Sequence, residues 1–249
     1  MPSRSYNKGV HQMNIALIFA GGVGSRMRSG ETPKQFLEIG GKPILVHTLE
    51  RFEKHPEIDG ICLVCVKEWM DHAAELLKAY NLKKVRWLVP GGASALDSQY
   101  NGLKVLADNL NDAGSHCVLL HDGVRPLINE KLISDCIAAV YTHGAAVTVA
   151  PAIETIIKTD GAGRVASTIE RSECMLARAP QAFYLNQIMD MHEKAIALGK
   201  HNFIDSVSMA LYFGKHIQTV VGPAENIKVT TPADFYTCRA LLENTNTLV

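Results

Sequence analysis

A chain of 249 residues carries 25 Lys plus Arg against 25 Asp plus Glu, a formal net charge of zero. That balance excludes a broad basic field for nucleic acid and an acidic tail, so any anion must be bound locally. With 47% hydrophobic residues, the chain is long enough for one α/β domain with a full core.

Six cysteines (Cys62, Cys65, Cys117, Cys136, Cys174 and Cys238) are scattered, mostly in apolar stretches where free cysteine behaves as a small core residue. Cys62 and Cys65 fall in a strand-like run that points them to opposite faces, and no second pair follows at zinc-site spacing. No metal or redox role is expected there. Residues 1–12 are polar and lack an apolar signal region, and no run reaches membrane-spanning length. These features predict a flexible extension over residues 1–12, one domain over residues 13–249, and a reduced, cytoplasmic setting without membrane or nucleic-acid partners.

The apolar run at residues 15–20 reads as a buried parallel strand. It empties into Ala20-Gly21-Gly22-Val23-Gly24-Ser25-Arg26-Met27, whose glycines let backbone N–H groups converge on an anion. A dinucleotide fingerprint would need a third glycine where Met27 stands, and a P-loop would need Gly-Lys-Ser/Thr; neither is present. What is left is a glycine loop with two cations, Arg26 and Lys34, the second within Pro33-Lys34-Gln35-Phe36. Cations at that place meet the negative charge that builds up in phosphoryl or nucleotidyl transfer. An ordinary strand-to-helix turn with two solvated basic residues is the alternative.

Further along, Pro43 opens a helix over residues 43–52 with Ile44, Leu45, Thr48, Leu49 and Phe52 on one stripe. A strand over 60–66, a helix over 67–80, a strand over 85–89 and a helix over about 96–110 follow. Such alternation predicts an α/β fold: a Rossmann-like, mostly parallel sheet flanked by helices, with ligands at the carboxyl ends of its strands. Trp69 is expected to pack. The next strand, 117–122, runs straight into Asp122, and a carboxylate there suits Mg²⁺, which takes oxygen ligands and shares them with substrate phosphates. A turn or helix cap is the other reading of Asp122; His121 reads as strand-end packing.

After a strand over 145–152 the alternation breaks. Residues 153–158 and 164–171 read as a β-hairpin around the turn Thr159-Asp160-Gly161-Ala162-Gly163, an arm inserted at about 153–171. A two-stranded arm is marginal alone and wants a partner surface, unless it is a plain surface hairpin. A helix over 185–199 and another capped by Asp205 lead to a strand over 217–221 and a terminal helix from Pro232. Between these last two, Glu225 and Lys228 are expected at a strand edge, as a second metal ligand and a phosphate-binding amine.

The motifs Ala-Gly-Gly-x-Gly-x-Arg-Met (residues 20–27), Pro33-Lys34-Gln35-Phe36 and His121-Asp122-Gly123-Val124-Arg125-Pro126 resemble those of the cytidylyltransferases that act on 2-C-methyl-D-erythritol 4-phosphate or ribitol 5-phosphate. The resemblance covers about residues 13–242. It implies transfer of CMP from CTP to a polyol phosphate with release of pyrophosphate, with Arg26, Lys34 and Lys228 as catalytic cations and Mg²⁺ on Asp122 and Glu225. It further implies nucleotide binding by Ala20, Gly21, Gly22, Gly24, Gly92, Ala93 and Ser98, and acceptor binding by Thr155, Arg171 and Lys228. The arm would interlock a homodimer and deliver Thr155 and Arg171 to the neighbouring pocket. Three residues depart from the family pattern: Ala95 stands for Arg, Ala179 for Thr and Glu225 for Asp. Gly21 and Val124 look like the ribitol branch. A sugar 1-phosphate nucleotidyltransferase and a nucleotide-binding relative without turnover are the other readings.

Overall fold

The computed structural model describes residues 12–21, 32–112, 114 and 116–245. In chain order, β1 (Asn14–Ala20) is followed by a small hairpin, β2 (Glu38–Ile39) and β3 (Lys42–Pro43), and by α1 (Ile44–Lys54). Then come β4 (Gly60–Cys65), α2 (Met70–Ala79), β5 (Val85–Pro90), α3 (Ala95–Asn109), β6 (Cys117–Asp122), α4 (Glu130–His143) and β7 (Ala145–Pro151). The arm consists of β8 (Ile156–Thr159) and β9 (Val165–Ile169). The chain finishes with β10 (Met175–Tyr184), α5 (Leu185–Ala197), α6 (Ser206–Tyr212), β11 (Gln218–Val221) and α7 (Pro232–Thr245).

Seven strands form one sheet in the order β11-β7-β10-β6-β1-β4-β5. β1 lies in parallel between β4 and β6, so water reaches neither of its edges, and its apolar run suits that place. The chain winds outward from β1 through β4 to β5 and then returns to β6 on the other side of β1. A reversal of this kind opens a crevice beyond the carboxyl ends of the two strands, here Ala20 and Asp122.

Helices cover both faces. The predicted stripe of α1 is fully buried, and its Leu45, Leu49 and Phe52 join residues of α4 such as Ile133 and Ile137 in one cluster; Leu103 and Leu106 of α3 and Ile188 of α5 build the cluster on the opposite face. Cys65 lies in the first cluster and Cys62 in the second, as strand geometry requires. Trp69 stacks on Phe36 with ring centroids 4.9 Å apart, a packing role.

Three features differ from the expectation. β10 is a strand, and it runs antiparallel to both β6 and β7; Pro180 argues against an interior strand, but the register slips between Ala177 and Gln181, where the ladder is interrupted. The helix expected over 67–80 begins as a 3₁₀ turn, Lys67–Trp69, and turns α-helical at Met70. Glu225 and Lys228 do not lie on a strand edge, because β11 ends at Val221 and residues 222–230 are irregular. Gly222 makes the last backbone bond to β7, donating to the Val149 carbonyl, and Pro223 has no N–H with which to continue.

α3 packs closely on β1 and β4 because Gly102 faces them. A methyl group there would meet Leu17 Cδ1 at 2.5 Å and Val64 Cγ2 at 2.7 Å. Gly102→Ala gains about 1 kcal/mol of helix propensity, but overpacking a closed core costs about 1–3 kcal/mol. The expected outcome is a lower urea midpoint with an unchanged slope; a raised midpoint would mean that α3 can shift away from the sheet at little cost.

Candidate active site

The crevice at the switch point is a cleft of about 470 Å³, within the range of roughly 300–1,000 Å³ usual for small-molecule sites. One wall carries Ala20 and Gly21 from the end of β1 and the turn Gly92–Ala95 that opens α3. Ser98 holds these segments in place: its hydroxyl accepts from the Gly92 N–H at 3.0 Å and donates to the Ser94 carbonyl at 2.9 Å. With its single proton committed, Ser98 can only accept from a ligand. A Cβ at Gly91 would lie 3.2 Å from Ser98 Oγ, so the close approach of this turn depends on glycine.

The segment from Pro33 to Phe36 is fastened by three side chains to three different elements. Lys34 Nζ donates to the Val229 carbonyl at 3.0 Å, Gln35 Nε2 donates to the Ala20 carbonyl at 2.7 Å, and Phe36 stacks on Trp69. Lys34 is 9% exposed, and it lines the cleft. An ammonium held this way is positioned before any ligand arrives.

Asp122 stands at the centre. Its Oδ1 accepts from Lys228 Nζ at 2.6 Å and its Oδ2 from Arg125 Nε at 2.7 Å. Burial by itself would raise the carboxyl, but Lys228 and then Arg125 outweigh it and hold the group well below the usual carboxylate range. The neighbouring His121 is buried and is lowered by that burial to about 4, so it is neutral at pH 7; its ring packs against Phe52, the packing role expected of it.

Arg125 also secures the irregular segment that follows β11, together with Asn226 and Arg178. Arg125 Nη1 donates to the Asn226 carbonyl at 2.9 Å, Asn226 Nδ2 to the Ala179 carbonyl at 2.7 Å, and the Val229 N–H to the Val124 carbonyl at 3.0 Å. Arg178 Nη1 reaches the carbonyls of Pro223 and Ala224 at 3.3 and 2.7 Å. A segment without a strand partner must satisfy its carbonyls in some other way, and here basic side chains of the cleft do so.

The structure thus brings together Ala20, Gly21, Lys34, Gly92, Ala93, Ser98, Asp122 and Lys228 of the residues expected from sequence. Gly22, Gly24 and Arg26 lie outside the described residues. Glu225 is exposed and is not part of the cleft wall, and neither are Thr155 and Arg171, which stand exposed at the arm of the same chain. Asp205 caps α6 through the Ser208 N–H and accepts from Gln181 Nε2 at 2.8 Å, the structural role expected. Sequence reading passed over Arg125 and Arg178. Arg125 lies inside the motif of residues 121–126 and Arg178 beside Ala179, and no local pattern sets either apart. Both line the cleft.

Among the described residues, the cleft wall carries four cations (Lys34, Arg125, Arg178, Lys228) against two carboxylates (Asp122, Asp205), an excess of two positive charges in a chain of zero net charge. This is a local site for a polyanion. No cluster of three or more metal-ligating side chains occurs among the described residues. Mg²⁺ is usually held by one or two carboxylates and by substrate phosphates. Asp122, ionised and facing the cleft, fits that role.

Asp122→Asn preserves volume and removes the charge that both cations share. At pH 7 the expected cost is about 2–3 kcal/mol of stability. A depressed carboxyl contributes stability above its unfolded value, near about 4, and loses it as the pH falls through the folded value. The gap between parent and variant in urea unfolding is therefore full at pH 7 and narrower at pH 3. An equal gap at both would contradict an ion-pair origin.

Comparison with known proteins agrees with this geometry. The family model described as 2-C-methyl-D-erythritol 4-phosphate cytidylyltransferase (IspD) matches residues 14–244. A ribitol-5-phosphate cytidylyltransferase of Vibrio parahaemolyticus is 42% identical over 95% of this chain and 98% of its own. A 2-C-methyl-D-erythritol 4-phosphate cytidylyltransferase of Syntrophus aciditrophicus is 37% identical over 92% of this chain and 95% of its own. Among solved structures, the 4-diphosphocytidyl-2C-methyl-D-erythritol synthase of Anaerococcus prevotii superposes with a TM-score of 0.80 at 31% identity, covering 93% of this chain and 96% of that one. With Asp122 and Lys228 at the switch point and a family match along nearly the whole sheet, the chain belongs to the 2-C-methyl-D-erythritol 4-phosphate cytidylyltransferase family.

Proposed function

We propose that this protein transfers CMP from CTP to ribitol 5-phosphate, giving CDP-ribitol and pyrophosphate. The observation that carries the reading is the Asp122 carboxylate between Lys228 and Arg125, in a cleft with excess positive charge and a glycine-lined wall. The acceptor follows from the 42% identical relatives, whose names specify ribitol 5-phosphate. In the reaction an oxygen of the acceptor phosphate bonds to the α-phosphorus of CTP. The bond from that phosphorus to the bridging oxygen breaks, and pyrophosphate leaves with the electron pair.

Two polyanions repel each other, so the site must neutralise charge before it can align them. Lys34 and Lys228 meet the charge of the phosphates, and Arg26 is proposed to do so from the glycine loop. Asp122 would hold a Mg²⁺ ion, with Glu225 as the second candidate ligand; such an ion supplies charge neutralisation on the phosphate oxygens. Backbone groups near Gly21 and Gly92 would contact the nucleoside. Ser98, able only to accept, suits the amino group of cytosine. The proposed setting is the cytoplasm; all six cysteines are unpaired, as in a reducing compartment, and no helix among the described residues is long and apolar enough to cross a membrane.

A second reading takes 2-C-methyl-D-erythritol 4-phosphate as acceptor, which the family description and the 37% identical relative favour. Pyrophosphate release with each acceptor separates the two. The expected kcat/KM is at least about tenfold higher for ribitol 5-phosphate, about 1.4 kcal/mol in transition-state binding. The reverse preference would reassign the acceptor.

The arm is proposed to join two copies of this chain. It exposes Ile157 and Val165, at 46% and 63%, beside Ile153 at 79%, apolar surface that a second subunit would cover. Arg171 and Thr155, outside their own cleft, would then serve the partner's acceptor site. Mixing an inactive Lys34→Ala protein with an inactive Arg171→Ala protein should restore activity as heterodimers form, because one site of each heterodimer is intact. A monomer in sedimentation, or no recovery despite measured subunit exchange, would contradict the shared site.

A further inference from the structure

Arg178 has no assigned role, yet it lines the cleft on the side of β10. It lies where the β10 ladder with β7 is interrupted, between Ala177 and Gln181. Its Nη1 spends both of its N–H groups on the carbonyls of Pro223 and Ala224. A guanidinium has five N–H donors, so the three on Nε and Nη2 are left for a ligand. Those donors form the planar fork that matches two oxygens of a phosphate.

The charge around Arg178 points the same way. Among the described residues, no carboxylate forms an ion pair with it, whereas Asp122 serves both Arg125 and Lys228. Burial, and then the nearby Arg125, lower the pKa of Arg178, and Glu225 offsets only part of this. A half-buried cation next to another cation is an unfavourable arrangement that a bound dianion would relieve. The sheet order indicates which anion. Gly21 at the end of β1 and the glycine turn after β5 lie on one side of β6, and β10 is the neighbour of β6 on the other. With adjacent strands about 4.8 Å apart, Arg178 is roughly two strand spacings from the nucleotide wall, across Asp122 from it.

We infer that Arg178 binds the phosphate monoester of the acceptor, opposite the nucleotide wall, and thereby selects acceptors that carry a phosphate. The inference rests on the cytidylyl-transfer reading above. The competing role is structural, a clamp on the carbonyls of residues 223 and 224, and the two roles differ in what they do to the two substrates.

The test is calorimetric titration of the parent, Arg178→Met and Arg178→Lys proteins with ribitol 5-phosphate and, separately, with CTP, alongside steady-state kinetics. Loss of a charge-assisted fork should weaken ribitol 5-phosphate about 10- to 100-fold in Arg178→Met. The expected change for CTP is within about twofold. Arg178→Lys, which keeps the charge and loses the fork, should fall between parent and Arg178→Met. The inference is overturned by an unchanged acceptor KM, or by equal weakening of both substrates together with a lowered Tm, the signature of a clamp. A parent protein that forms no CDP-alditol overturns the functional reading and this inference with it. A parent that turns over, beside an Arg178→Met protein of unchanged acceptor affinity, overturns the inference alone.

Discussion

The carboxylate of Asp122 is the point on which the cleft depends, because it lets two cations stand close together at the end of β6. Without it, Arg125 and Lys228 would repel each other, and Lys228, 44% exposed in its side chain, would turn to solvent. With it, Lys228 is fixed over the crevice at 2.6 Å from Oδ1, and Arg125 is free to reach the Asn226 carbonyl at 2.9 Å. One negative charge thus positions one cation for a ligand and another for the backbone. The burial that makes such a carboxylate costly in isolation also strengthens its two ion pairs.

Fold and site are coupled through the segment after β11. Its carbonyls have no strand partner, and the side chains that satisfy them, Lys34, Arg125 and Arg178, all face the cleft. A ligand that drew any of these cations away would loosen the segment that carries Lys228. Phosphate binding and the order of residues 223–229 are therefore linked, and substitutions at the three basic residues act on both. The same economy holds on the glycine-lined wall, where Ser98 supports the Gly92 turn and keeps only an acceptor lone pair for a ligand.

Much of the fold was legible in sequence because it is local. The apolar runs of β1, β4 and β6, the α1 stripe from Ile44 to Phe52 and the Asp205 cap each announce themselves within a few residues. Glycine and proline punctuation marked the ends of strands, and Asp122 stood out at a strand end. What was not legible depends on contacts between distant parts of the chain. Lys34 meets Val229 across 195 residues and Arg125 meets Asn226 across 101, separations that no periodicity encodes. β10 was hidden by Pro180, whose missing N–H counts against an interior strand until the register slip beside it is known. Arg178 is equally silent in sequence: it faces the cleft with no carboxylate partner among the described residues, a property of assembly.

The most direct test of the site's chemistry follows the α-phosphorus. CTP labelled at that atom, incubated with the protein, Mg²⁺ and ribitol 5-phosphate, should deliver its label to CDP-ribitol, while a γ-label leaves entirely in pyrophosphate. An α-label that remains in CTP, or that appears as free CMP or CDP instead of in the alditol product, would contradict nucleotidyl transfer at Asp122.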